Sequence, residues 1–521
     1  MLRSAGISRR KLVHLGLGAG VGALGAGLFG RPALAQKAAL RAAITGFTTM
    51  NTLDPGKHSL IPESFVIWAV FNSLVRFNEN MEIVPDLAES YRFVDPTTLE
   101  FKLRMGVTFQ DGSDFTADDV KFTLERIIDE KFSSPNRGKL AAVQEIKIVD
   151  AHTVQIKTKA AFSPLLPYLT NIRTGMQIVP YRTVSQMGNE AFGKQPVGTG
   201  AYMLKSWKTN ESVELASFDR YFGGRPKIER VTMPLIAEES SGMTALLGGQ
   251  VDLTSEAPFA DIPTLEKNPG VKVFKQAGLN TRYICLNNRK APFDDPYFRR
   301  ALSMAFDRRA LVRAVIFGEG EISSGILPPA LLPKDARSIP DLMTFSAEKA
   351  RAEFAKSRYK PGAEAEILTW GPNWWRRIGE IFVAQVNQVL GTKLSIQAGD
   401  SNAVFARLKS GDFQGGVWGW LGLIDPDEYL GDILGKGGFR NFQGYENAAF
   451  EQLLAAGRAE LDMAKRKEIY AKANLLMLED MPLIPCFSSN IHNLAVPSLS
   501  GFVQLPYSNF GDQFANLSLG A

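Results

Sequence analysis

Between residues 83 and 128 local structural signals follow one another so closely that few folds remain open to the chain. Ile83-Val84-Pro85-Asp86-Leu87-Ala88-Glu89-Ser90-Tyr91 leads to Leu-Glu-Phe-Lys-Leu at 99–103, whose period of two is that of a strand with one buried face. Asp111-Gly112 marks a turn, and Thr116 stands three residues before Asp119, a spacing that lets a helix start satisfy two of its own N–H groups. Strand-like and helix-like segments keep alternating beyond this stretch. Helices are expected at 116–130, 296–306 after Asp295, 346–356, 378–390 before Gly391, 446–460 and 462–480. In the fourth of these, Ile378, Ile381, Phe382, Val386 and Val389 form an apolar stripe that Gln385 interrupts. Strands are expected at 152–158, 271–274, 283–286, 366–369, 394–397 and 483–487. The texture is α/β or α+β, without internal repeats.

Residues 1–35 read as a cleavable export signal: Arg3, Arg9, Arg10 and Lys11 precede a Gly/Ala/Leu run at 12–30 that closes on Ala33-Leu34-Ala35, with no acidic residue. Ser8-Arg9-Arg10-Lys11-Leu12 resembles a twin-arginine motif, with Leu12 where that pattern usually has Phe, so general secretory export stays open. With no cysteine near the cleavage point to carry a lipid, a soluble periplasmic protein is expected. Of 59 Lys and Arg residues five lie in the leader, leaving 54 against 54 Asp and Glu, so the mature chain is formally neutral. Nucleic acid and anionic membranes are therefore not expected partners. No later segment holds about 18 consecutive apolar residues, so no membrane span is expected. A mature chain of about 485 residues exceeds what one core supports, and two or three domains are expected. Cys285 and Cys486 read either as two buried thiols or as one bridge.

The 83–127 pattern, taken with Pro196-Val197-Gly198-Thr199-Gly200-Ala201-Tyr202, Ala291-Pro292-Phe293-Asp294-Asp295, Arg299-Arg300-Ala301-Leu302 and Ala305-Phe306-Asp307-Arg308, resembles the peptide/nickel family (family 5, cluster C) of extracytoplasmic solute-binding proteins. These are the receptors of ABC importers. The resemblance covers essentially the whole mature chain and implies a two-lobed α/β periplasmic-binding-protein fold of type II. Lobe I would comprise 36–280 plus 485–521, with an extra subdomain at about 57–169, and lobe II 281–484. It further implies a monomer that delivers its ligand to an inner-membrane ABC permease. Peptides or peptide-like compounds lead the ligand classes. A ligand without a free ammonium (an opine, a modified peptide or a sugar) and a chelated metal such as nickel stand as alternatives, and a periplasmic hydrolase as a remote one.

Catalytic templates fail. The clear Gly-x-Gly-x-x-Gly match, Gly20, Gly22 and Gly25, lies in the leader without the strand a phosphate loop needs. No nucleophile elbow, Walker loop or His-Glu-x-x-His helix occurs. His14, His58, His152 and His492 are scattered, so neither a metal site nor a cofactor is expected, and no enzyme activity.

Binding chemistry is richer. Gly415-Gly416-Val417-Trp418-Gly419-Trp420 resembles the family's ligand-facing strand and runs into a loop ending in Asp425-Pro426. Peptide binders of the family commonly place an aspartate a few residues after this Trp to pair with the ligand's ammonium, whereas this chain has Leu423 there. A buried ammonium without an anion costs several kcal/mol. Asp425 either substitutes or caps the following helix. Trp374, Trp375, Arg376 and Arg377 follow an expected strand, at the crevice end of an α/β sheet, where indoles offer stacking faces and an Arg can grip a carboxylate. From the first lobe, Thr49 and Asn51 precede Leu53-Asp54-Pro55 and resemble the family's loop into the cleft. Arg173-Thr174 and Arg282-Tyr283 are weaker candidates.

Overall fold

The computed structural model describes residues 39–172, 175–370, 373–421, 424–507 and 510–520. The leader, Arg173, Thr174 and Leu423 lie outside them.

One strand of thirteen residues, Leu483–Ala495, ties the architecture together. Its first part pairs antiparallel with Asn280–Leu286, placing Leu483 opposite Cys285 and Phe487 opposite Arg282. Its second part pairs with Lys272–Ala277 and Leu253–Ser255. A twelve-stranded sheet therefore runs continuously from Lys393–Gly399, Glu364–Trp370 and Gly415–Leu421 through these crossing strands to Ala39–Thr45, Arg230–Ile236, Ser212–Ser217 and Tyr202–Lys208.

Sequence periodicity ends this strand at 487, because Ser488, Ser489, His492 and Asn493 break the apolar run. In the fold all four are buried. Apart from Asn493 Oδ1, which has no partner, their side chains are satisfied: Ser488 donates to the Asn280 carbonyl at 2.7 Å, the Asn280 side chain accepts from Ser489 N at 2.8 Å, and His492 lies 3.0 Å from Glu319. Burial with most hydrogen bonds kept lets a polar segment cross between lobes.

Side chains segregate into separate cores. One gathers residues from Tyr283 to Phe487. Another joins Leu40 to Phe77 with segments between Ile172 and Leu279 and with the C-terminal Ala495 to Phe514. A third, between Leu74 and Ile178, lies under a four-stranded antiparallel sheet of Ala88–Asp95, Thr98–Leu103, Thr153–Thr158 and Val143–Asp150. This is the two-lobed α/β fold with a subdomain inserted in the first lobe. The Ala117–Ile128 helix of the subdomain opens as its sequence suggests, with the Asp119 carboxylate accepting from Thr116 N at 2.9 Å.

Two helices depart from expectation. Ile61–Val70 has nine of its ten residues buried, so it shows no polar face for periodicity to find. Asn373–Leu390 begins five residues before the expected 378, which takes Trp374, Trp375 and Arg376 out of a loop and into the first turn of a helix.

Both cysteines are free and buried. The Cys285 thiol donates to Gln443 Oε1 at 3.3 Å, and burial pushes both thiols up, that of Cys486 to about 12. With so little thiolate, neither should react with iodoacetamide in the folded protein and both should react in urea. Intact-mass measurement of rapid labelling under native conditions would overturn this.

Candidate functional site

Several element ends converge on one group of aromatic rings. Trp370 ends a strand, Trp374 and Trp375 open the helix that follows, and Trp418 and Trp420 alternate along Gly415–Leu421. Trp374 stacks on Trp375 at 4.5 Å, and Trp375 on Trp370 at 4.6 Å. Trp370 tilts against Trp418 at 5.3 Å, and Trp418 stacks in turn on Phe405 at 5.5 Å. Trp420 meets Trp418 edge-on at 6.1 Å. From the first lobe, Phe259 meets Trp374 edge-on at 6.3 Å, so the wall reaches from one lobe to the other.

Strand register explains which side chains join it. Gly415–Leu421 pairs antiparallel with Asn280–Leu286, so Trp418 stands opposite Tyr283 and Gly419 opposite Arg282. Alternation places Trp418, Trp420 and Tyr283 on one face and Arg282 on the other. Trp420 Nε1 donates to the Tyr283 hydroxyl at 3.1 Å, and the Arg440 guanidinium lies 4.4 Å from the Trp420 ring. A Cβ at Gly419 would lie 2.4 Å from the Thr281 carbonyl oxygen, 2.7 Å from Arg282 Cδ and 3.0 Å from Trp375 Cη2. The absent side chain makes room for Arg282 beneath the indoles.

Arg282 is the electrostatic centre of the group. It is 3 % exposed, and its guanidinium lies 4.8 Å from the Trp375 ring and 5.2 Å from that of Trp374. Nη1 donates to the Thr281 carbonyl at 3.1 Å, Nε has no partner, and the side chain forms no ion pair among the described residues. Burial drives its pKa down to about 10, against the pull of Glu256. Indole faces return up to about 2 kcal/mol to a desolvated cation, less than the several kcal/mol that removing it from water costs.

Other candidates are placed differently. Asp425 caps the Pro426–Leu434 helix, accepting from Asp427 N at 2.9 Å. Its two oxygens also accept from Arg466 Nη1 and Nη2 at 2.6 Å each, both side chains being 1 % exposed. A ligand ammonium would have to displace that pair. Leu423 cannot be placed beside it, since it lies outside the described residues. Arg376 is exposed and ion-paired with Glu380 at 2.8 Å, one turn along the same helix, and Arg377 is also exposed. Thr49 and Asn51 are exposed on a segment that the buried Glu63 pins by accepting from Asn51 N at 2.8 Å and Thr52 N at 3.2 Å. Among the described residues neither side chain hydrogen-bonds to the aromatic wall.

Phe259, Phe405 and Arg440 escape sequence reading because each is a lone residue in an unrelated segment. Tertiary folding alone puts them beside the tryptophans. The described residues hold no group of three His, Cys, Asp or Glu placed to bind a metal, and no helix long and apolar enough to cross a membrane.

A cleft wall between two lobes joined by crossing strands is the architecture of a protein that takes up a solute. Comparison with known proteins agrees, since residues 82–441 match the family described as bacterial extracellular solute-binding proteins, family 5. The chain belongs to that family. It is 28% identical over 476 residues to heme-binding protein A of Haemophilus influenzae, covering 84% of this chain and 85% of the relative. It is 27% identical over 488 residues to the glutathione-binding protein GsiB of Shigella flexneri, covering 90% and 93%. Among solved structures it resembles HbpA2 from Haemophilus parasuis, with a TM-score of 0.81, 26% identity, and coverage of 93% of this chain and all of that one.

Proposed function

We propose that this chain is the periplasmic receptor of an ABC importer for a peptide-like solute bearing a carboxylate, which pairs with Arg282 while its body lies along the tryptophan wall. The observation that carries this reading is Arg282: a guanidinium buried against two indoles, with an unused Nε–H and no ion pair among the described residues, is a preformed carboxylate site. Heme and glutathione, named for two relatives, both carry carboxylates.

Trp374, Trp375, Trp418 and Trp420 give contact area, and Thr49 and Asn51 supply polar contacts from the first lobe as the lobes close. Closure pivots on the crossing strands Asn280–Leu286 and Leu483–Ala495. Interlobe contacts support a closed arrangement: Ser163 donates from its backbone N to the Arg458 carbonyl at 2.8 Å, and Lys139 lies 3.7 Å from Glu428. The commitment of Asp425 to Arg466 favours ligands anchored by their acidic end over those that need an ammonium acceptor in this loop. Export through the twin-arginine route and docking of a monomer on an inner-membrane permease complete the reading. The work is binding and conformational change, with no covalent step.

Native mass spectrometry of the mature protein purified from its periplasm, followed by denaturation, tests this. Release of a carboxylate-bearing small molecule supports it. Release of a neutral sugar or a purely cationic ligand sinks it.

A further inference from the structure

A second cavity, of about 330 Å³, opens away from the cleft, between the first lobe, its subdomain and the C-terminal segment. Its lining comes from residues 68–104, 171, 200–225 and 511–516, and none from 280–485. The volume falls at the lower end of the range for small-molecule sites. Two carboxylates face it. Asp86, 6 % exposed, accepts from both Asn72 Nδ2, at 3.1 and 3.3 Å, and Ser73 N, at 3.1 Å. Asp512 Oδ2 accepts from Asn171 Nδ2 at 3.1 Å, while its Oδ1 is buried without a well-aligned hydrogen bond, the nearby donor being the Tyr507 hydroxyl. Neither forms an ion pair among the described residues.

Trp68 also lines the cavity, 4 % exposed, and its Nε1–H has no hydrogen-bond acceptor. Three cations complete the lining, of which Arg225 is already ion-paired with Asp219 at 3.1 Å. Arg76 is exposed and makes no ion pair among the described residues, and Arg104 donates from Nε to the Asp86 carbonyl at 2.6 Å.

Buried polar groups are normally satisfied, and buried charges paired. Here a carboxylate oxygen and an indole N–H are left over in a space large enough for a guest. The complement of two acids, two guanidiniums without ion pairs among the described residues and a free N–H donor is a molecule with an ammonium at one end and an anionic acceptor at the other. We propose that this cavity is a second ligand site, for a zwitterion of amino-acid size, whose ammonium lies between Asp86 and Asp512 and whose carboxylate faces Arg76 and Trp68. Burial pushes both aspartates up to about 6, against the pull of Arg76, so near neutral pH both are largely ionised and ready for a cation. A purely cationic guest is opposed by Arg76 and Arg104. A metal ion would find only two carboxylates, and the described residues contain no larger ligand group here.

The test is isothermal titration of the twenty common amino acids, one at a time, into the mature protein cleared of its cleft ligand. Three variants are titrated in parallel: Asp512→Asn, Arg76→Gln and Arg282→Gln. The expected result is saturable binding of at least one amino acid, weakened about tenfold or more by Asp512→Asn and by Arg76→Gln, each of which removes one charge-assisted contact, and unchanged by Arg282→Gln. Arg76 is exposed, so its replacement reports on the site even if Asp512→Asn fails to fold. Absence of binding by all twenty would overturn the proposal and leave the cavity to water. So would binding that Arg282→Gln abolishes and Arg76→Gln spares, which would place the guest in the cleft. A cleft ligand that ignores Arg282 would overturn the carboxylate reading of the cleft while leaving this site standing.

Discussion

Replacing Arg282 by methionine should weaken binding of the cleft ligand by about 100- to 1000-fold, that is by roughly 3 to 4 kcal/mol, the usual cost of removing one partner from a buried charge pair. The same substitution should make the ligand-free protein more stable, by about 1 to 2 kcal/mol. The two effects share one cause. Without ligand, Arg282 is a desolvated cation held by the Thr281 carbonyl, two indole faces and the pull of Glu256, with no ion pair among the described residues, so an apolar side chain of similar length removes a penalty and keeps most of the packing. With ligand, the same guanidinium finds its anion, and its loss leaves a carboxylate buried alone. Calorimetric titration with the released ligand, and urea unfolding of the cleared protein, measure the two halves separately. An unchanged affinity would show that the ligand does not pair with Arg282. Weakened binding with a less stable ligand-free protein would show that Arg282 serves mainly to hold the wall together.

The second large effect is expected at Asp425. Asparagine there keeps the size of the side chain and its ability to cap the Pro426–Leu434 helix, but strips the charge from a pair whose members are each 1 % exposed. Arg466 is then left buried without an anion, and unfolding free energy should fall by about 3 to 5 kcal/mol. Adding Arg466→Met should recover much of that loss, because the double variant buries no unpaired charge. Ligand affinity of the folded Asp425→Asn protein should change by less than about threefold, since the carboxylate is engaged by Arg466 and by the backbone N of Asp427 rather than by solute. Equilibrium unfolding of the two variants, with titrations on each, decides the matter. A collapse of affinity with stability intact would return Asp425 to the role of ammonium acceptor.

Much was legible before any coordinates. Alternation at 99–103, the Thr116/Asp119 start signal and the stripe from Ile378 to Val389 are local facts, set by side chains within a few residues of one another, and each led to the right kind of element. The tryptophans that form the wall were visible as residue types able to stack, and Trp418 and Trp420 were expected on a strand because the family resemblance implies one there. What sequence left open was which polar residues already have partners. Asp425 read either as a ligand contact or as a helix cap until Arg466, forty-one residues away, was seen closing on both of its oxygens. Arg376 looked available until the helix began earlier and set Glu380 one turn below it. Arg282 looked ordinary until register placed it opposite Gly419 and under two indoles. The polar run 488–493 concealed a strand because its hydrogen bonds go to Asn280 and Glu319, far away in the chain. The sequence by itself determined most of the elements, the family resemblance and the chemistry on offer, since these depend on neighbours along the chain. The tertiary structure alone decided which charges are spent and which remain unpaired, because desolvation and pairing depend on distances in space between residues that the sequence keeps far apart.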